Sequence, residues 1–215
     1  MEFETPFIMT CYGKPKAGKS HFMKYLTGRL LSEGKIDYVY VFSGTAFNDF
    51  FQEFVDPKYI NQGWDTQKMK KIEKLAIETK KRGKQWLIII DDCLGEKAFK
   101  SCASYFESLL ANHRHYGFNF IMATQHPNRL TTVAPAVTTH AILFPMKGAA
   151  ETKPLWEKYG QSYGDYKSFY ELLNKLPKHV CLCVRPAEET VEESYRKLRA
   201  PKDIPAFYAK NLIGK

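Results

Sequence analysis

The chain has 215 residues, 44% of them hydrophobic and 26% charged, with 32 Lys and Arg against 23 Asp and Glu for a formal net charge of +9. That length and balance suit one globular domain with a core large enough to need no disulfide or metal staple, and they exclude a disordered chain or a small disulfide scaffold. The excess of basic charge points to a polyanionic partner, nucleic acid first and an acidic membrane surface second.

In chain order, Met-Glu-Phe-Glu-Thr-Pro carries acids and no basic leader, so no secretory signal is expected. An apolar strand predicted at Phe7–Cys11 runs into Gly13-Lys-Pro-Lys-Ala-Gly18-Lys19-Ser20, and a helical pattern follows over Lys19–Leu31. Strand, Gly-x-x-x-x-Gly-Lys-Ser and helix together make a phosphate-binding loop, so ATP and Mg²⁺ are the expected ligands. The glycines let successive amides turn inward, and the helix adds the positive end of its dipole. Gly13, Lys14, Pro15, Lys16, Ala17, Gly18, Lys19, Ser20 and His21 are the expected nucleotide-binding residues. Lys19 would reach the β- and γ-phosphates and the Ser20 hydroxyl would ligate Mg²⁺. Pro15 removes one amide, and the gripping amides are expected from Ala17 through Ser20.

A second strand is predicted at Tyr38–Phe42, then helices at Asn48–Phe54 and Gln67–Lys81. Eight Lys and Arg fall between Lys68 and Lys84, against Glu73 and Glu78, while Met69, Ile72, Leu75 and Ala76 recur at helical spacing. This segment reads either as a solvated helix face or as a set of phosphate contacts. Trp86–Ile90, the longest unbroken apolar run, is far too short to span a bilayer, so an integral membrane protein is not expected. It ends in Asp91-Asp92, the pattern of a Walker B strand. Asp91 would hold the magnesium through water and Asp92 would polarise the attacking water, with Glu96 the alternative base.

A helix is predicted over Phe99–His113. Arg114 follows, either complementing the helix C-terminus or reaching a neighbouring subunit's nucleotide as an arginine finger; Arg129 is the second candidate for that role. The strand Phe118–Ala123 runs into Thr124-Gln125, where a glutamine can bond both the γ-phosphate and the lytic water. Further strands are predicted at Ala141–Phe144 and Val180–Val184, with a helix from Pro154–Tyr159 toward Leu173. Cys181 and Cys183 share a strand face and offer too few ligands for a metal, so they read as core thiols.

Near-continuous apolar strands alternating with helices predict an α/β fold with a central, mostly parallel sheet flanked by helices on both faces, and the phosphate loop with a polar-tipped strand after Walker B favours a P-loop NTPase of the additional-strand type. One domain is expected over residues 1–215, its core at about 7–186, with 187–215 a C-terminal tail or docking arm. Asn174-Lys175-Leu176 lacks the Asp of a guanine-reading motif, and no Leu-Ser-Gly-Gly signature of a transporter cassette is present.

The order Gly-Lys-Pro-Lys-Ala-Gly-Lys-Ser, Ile-Ile-Ile-Asp-Asp and Asn-His-Arg-His-Tyr-Gly-Phe-Asn-Phe-Ile-Met-Ala-Thr-Gln resembles the FtsK–HerA superfamily. Within it, the chain is similar to the compact genome-packaging ATPases of poxviruses, other large DNA viruses and virophages, over residues 7 to about 145. The resemblance implies a homo-oligomeric ring, pentameric or hexameric, that drives double-stranded DNA into a preformed capsid. It implies ATP roles for Gly13 to Ser20, Asp91, Asp92 and Gln125, and a trans-acting role for Arg114. Partners at a capsid vertex or internal membrane, and a place in the host cytoplasm, the virus factory or the virion, are implied with it. Lys97 and Lys100 are candidates for gripping DNA. A cellular or plasmid DNA pump of the same superfamily and a small-molecule kinase using the same loop are the alternative readings; the kinase predicts no response to DNA.

Overall fold

The computed structural model describes residues 3–45, 49–93, 95, 97–130 and 133–209. The elements in order are β1 (Ile8–Tyr12), α1 (Lys19–Ser32), β2 (Tyr38–Ser43), β3 (Ile60–Gln62), α2 (Thr66–Lys80), β4 (Trp86–Asp91) and α3 (Lys97–Lys100). They continue with α4 (Ala103–Ala111), α5 (His113–Tyr116), β5 (Phe118–Thr124), α6 (Val133–Val137), β6 (His140–Leu143), α7 (Ala149–Tyr159), α8 (Tyr166–Asn174), β7 (Val180–Val184), α9 (Val191–Ser194) and β8 (Tyr195–Arg199).

The strands form one sheet in the order β3-β2-β4-β5-β1-β6-β7-β8. Pairings from β3 through β6 are parallel, and β7 and β8 are added antiparallel. The central strands read as unbroken apolar runs because both sheet faces are covered. Along β4, Ile88 and Ile90 join the core under α2, α4, α7 and α8, while Leu87 and Ile89 join the opposite core under α1. The cysteine expectation holds: Cys181 and Cys183 lie in that second core beside Cys11, and burial pushes both thiols up to about 12.

Several elements differ from those expected. Asn48 lies outside the described residues, and the rest of the expected helix is only a 3-10 turn at Phe51–Glu53. The expected helix over Phe99–His113 is broken into α3, α4 and α5, with non-helical backbone at Cys102 and Asn112. The one expected from Pro154 toward Leu173 divides into α7 and α8. Gly160 ends α7, and the Asp165 side chain caps α8 by accepting from the Ser168 amide at 2.8 Å.

The sheet also runs past residue 186, since β8 pairs with the whole of β7. Beyond it the chain crosses α1. The Pro201 carbonyl lies 2.7 Å from His21 Nε2, Phe207 stacks on Phe54 at 5.3 Å, and the Ala209 amide donates to Phe54 O at 2.8 Å.

Candidate active site

β5 is inserted between the phosphate-loop strand β1 and the acid-bearing strand β4. In register, Ala123 faces Cys11 on one side and Asp91 on the other. Gly13, Gln125 and the two acids therefore leave the sheet along one edge, the carboxyl ends of the parallel strands, where open α/β sheets bind ligands. One intervening strand sets the loop and the acids roughly 10 Å apart.

The loop needs its glycines for two different reasons. A Cβ on Gly13 would meet Phe144 Cβ at 2.9 Å, so the loop passes too close to β6 for any side chain. Gly18 has φ 110°, and Lys16 also takes a positive φ of 62°, which together curl the chain into the start of α1. The Ala17 amide is used within the loop, donating to Lys14 O at 3.2 Å. The amides at the start of α1 precede its first internal bond, Phe22 N to Gly18 O at 2.9 Å, and have no intrahelical partner. The gripping amides therefore begin after Ala17. Lys19 is buried, its ammonium donating to Gly13 O at 2.6 Å and Lys14 O at 3.3 Å, which leaves one of its three N–H groups for a phosphate oxygen.

At the end of β4 the two acids part. Asp91 is buried; desolvation, then the charge of Asp92, raise its carboxyl from 3.8 to about 7, against the opposing pull of Lys19. Asp92 turns out of the strand with φ 54°, a left-handed conformation that aspartate tolerates better than most residues. Its Oδ2 accepts from Gln125 Nε2 at 2.8 Å, while Oδ1 is buried with no partner. A buried acid lacking a full counter-charge, Asp91, is what a hard cation would satisfy. Mg²⁺ takes oxygen ligands, typically one or two carboxylates plus substrate phosphates and water. The Ser20 hydroxyl and Asp91 fit that donor set. Glu96 lies outside the described residues.

The two candidate arginines sit at opposite ends of the sheet. Arg129 is exposed in the turn after β5, with Nη1 3.0 Å from where a Cβ on Gly95 would lie. Arg114, on α5 ahead of β5, is exposed at the edge where the strands begin and lines a cleft with Phe7 and His140. The length of β5 puts it roughly 20 Å from its own phosphate loop. Lys97 and Lys100 are exposed on α3, which leaves β4 at the nucleotide edge and is anchored by buried Phe99 against Trp64 (5.1 Å) and Phe106 (4.7 Å). Part of the basic α2 segment is structural: Lys84 pairs with Asp37 at 2.8 Å and the Lys80 ammonium donates to Arg114 O. Lys70, Lys71 and Lys74 remain exposed.

Two neighbours of the loop were not anticipated. Phe144 is wedged against both Gly13 and Gly18, and His179, at φ 63°, sits over Gly18. An aromatic ending the strand beside β1 was a usable signal for Phe144; nothing in the sequence marked His179.

A mostly parallel sheet bearing a phosphate loop, a Walker B strand and a polar-tipped strand between them defines the additional-strand P-loop NTPase class. The family model described as Poxvirus A32 protein matches residues 2–150, and the chain belongs to that family. It is 30% identical over 132 residues to uncharacterized protein 075L of Invertebrate iridescent virus 6, covering 60% of this chain and 49% of that one. The chain spans about half the length of the curated relatives it matches.

Among solved structures it resembles the genome packaging NTPase B204 of Sulfolobus turreted icosahedral virus 2 in complex with AMP. The TM-score is 0.66 at 17% identity, over 93% of this chain and 100% of that one. It also resembles the pCW3 conjugation coupling protein TcpA with ATPγS, TM-score 0.60 at 15% identity over 95% of this chain and 61% of that one. These likenesses concern the fold. Among the described residues no helix is long and apolar enough to cross a membrane.

Proposed function

We propose that this chain is the ATPase of a viral genome-packaging motor, hydrolysing ATP to drive double-stranded DNA into a preformed capsid as a homo-oligomeric ring. The observation that carries the reading is the Gln125–Asp92 bond, 2.8 Å long, on the strand edge shared with the phosphate loop. It joins a γ-phosphate sensor to a general base. Membership of the poxvirus A32 protein family and the fold shared with a packaging NTPase support the same reading.

In this mechanism the α1 amides and Lys19 hold the β- and γ-phosphates. Asp92 accepts the proton of the attacking water, and Gln125 orients that water by donating to one carboxylate oxygen while leaving the other open. Ser20 and Asp91 would hold Mg²⁺, which when bound offsets the charge on the phosphate oxygens. Arg114, roughly 20 Å from its own loop, is taken to serve a neighbour's nucleotide, with Arg129 the second candidate for that role. A motor indifferent to sequence grips phosphates, and the exposed Lys97 and Lys100 are the candidates for that grip. Partners at the capsid vertex or internal membrane, and action in the virus factory or host cytoplasm, follow from the packaging role.

Phosphate release measured with and without double-stranded DNA, alongside native mass, tests the reading. Expected are a ring and a DNA-dependent rise in rate. Mixing wild-type with Arg114→Ala subunits should lower activity faster than the mutant fraction. Turnover indifferent to DNA would sink the motor, and a linear mixing curve would sink the trans role.

A further inference from the structure

Gln125 can orient a water only if the backbone that carries it stays still, and it sits where the chain leaves the sheet. On the strand side it is secure: Thr124 closes β5 and pairs with Tyr12, and its carbonyl accepts from the Gly13 amide at 3.4 Å. Beyond Gln125 the chain turns at Pro127–Arg129, and the bonds inside that turn are local. The His126 amide donates to Thr124 Oγ1 at 3.2 Å and the Arg129 amide to His126 O at 3.1 Å. Another element supplies a further bond. The Lys158 ammonium, on the last turn of α7, donates to Pro127 O at 2.6 Å.

The far end of this tether is itself fixed. Tyr159, the next residue, is buried, and its hydroxyl lies 3.1 Å from Tyr12 Oη and 3.4 Å from Thr10 Oγ1 in the phosphate-loop strand. Its carbonyl accepts from Tyr195 Oη at 2.6 Å, which ties the same turn of α7 to β8. Two adjacent helical residues thus grip the strand that feeds the phosphate loop and the turn that follows Gln125. Packing alone gives no reason for a lysine at 158. The side chain is half-buried, desolvation lowers its pKa from the ordinary lysine value, and ordering a long flexible side chain costs rotamer entropy. A methionine of similar length would fill the space without the charge. What the ammonium adds is a charge-assisted bond, stronger than a neutral one, to the Pro127 carbonyl.

We infer that Lys158 is a positioning residue for hydrolysis. By holding Pro127 O against the end of α7 it fixes the turn that carries Gln125, and with it the 2.8 Å bond from Gln125 to Asp92. The inference rests on the roles given to Gln125 and Asp92 above. Because the same turn of α7 is bonded to β1, Gln125 is held at a set distance from the phosphate loop. A misplacement of about 1 Å can cost about a hundredfold in rate, so partial release of the turn, with Thr124 still in the sheet, is expected to cost about tenfold.

Steady-state phosphate release and hydrogen exchange of the full-length protein, wild type against Lys158→Met, test this. Met keeps the apolar stem of the side chain and removes the donor. The variant is expected to lose about tenfold in kcat with KM within about twofold, and Lys158→Arg, which keeps a charged donor, to recover to within about threefold of wild type. Combined with Gln125→Ala, Lys158→Met should cost nothing more, since a residue acting through Gln125 then has nothing left to position. Amides in 126–130 should exchange faster in Lys158→Met, with those of α1 and β4 unchanged. A wild-type kcat in Lys158→Met, or a loss of the same size repeated in the Gln125→Ala background, would overturn the role. Unchanged exchange in 126–130 would overturn the tether on which it depends. A wild type that releases no phosphate would instead overturn the hydrolytic reading, a failure told apart because exchange still reports the tether.

Discussion

Asp92→Asn should make the protein more stable and less active at once. The carboxyl of Asp91 rises from 3.8 to about 7, with burial the larger cause and the Asp92 charge the second. Three units correspond to about 4 kcal/mol, so the share of Asp92 is about 1–2 kcal/mol when both acids are ionised. Asn keeps an oxygen to accept from Gln125, and its amide replaces an Oδ1 that already lacks a partner. The exchange therefore leaves one unpaired buried group in either protein, neutral in the variant and charged in the wild type. For a chain of this size, about 1 kcal/mol moves the melting temperature by about 2–4 °C. At pH 8 without nucleotide or metal, the variant is expected to melt about 2–8 °C higher. Its phosphate release should fall by about 10²–10⁴, the range for removing a general base. A variant that melts no higher, or that hydrolyses ATP at the wild-type rate, would refute the coupling of the two acids or the role given to Asp92.

Replacing Lys97 and Lys100 together with Ala should remove two phosphate contacts. The slope of log affinity for duplex DNA against log salt is then shallower by about 2; an unchanged slope would take these lysines off the DNA. Buried His140 is held near 4, down from 6.5, by desolvation first and the Arg185 charge second. The unfolded chain thus binds more protons between those values, so stability is fullest above about pH 6.5 and falls as acid is added toward pH 4. The loss from pH 7 to pH 5 is about 2 kcal/mol from this group, and urea titrations of His140→Gln should show it reduced by that amount. Parallel pH profiles for the two proteins would count against a buried neutral imidazole.

The nucleotide edge was legible because its chemistry is written in consecutive residues. Gly13 to Ser20, Asp91-Asp92 and Thr124-Gln125 each follow a mainly apolar run, and all six apolar runs read from the sequence are strands. What escaped had no such signature. β3 is three residues long, and β8 (Tyr-Arg-Lys-Leu-Arg) is a largely exposed strand with little apolar alternation. The helices predicted in one piece broke where capping residues outweighed apolar periodicity, as at Asp165. Spacing could suggest an arginine finger, but only the fold showed Arg114 and Arg129 at opposite ends of the strands. The bond from Lys158 to Pro127 joins residues 31 apart in sequence, and no local pattern could have announced it.

β8 forms one rim of the sheet and exposes Arg196, Lys197 and Arg199. Neighbouring positions along a strand point to opposite sides, so cations flank this rim above and below. Two such rims repel each other before their backbones can zip together. The opposite rim, β3, offers only a stub of three residues. Copies of the chain are thereby steered away from fusing edge to edge into a continuous ribbon.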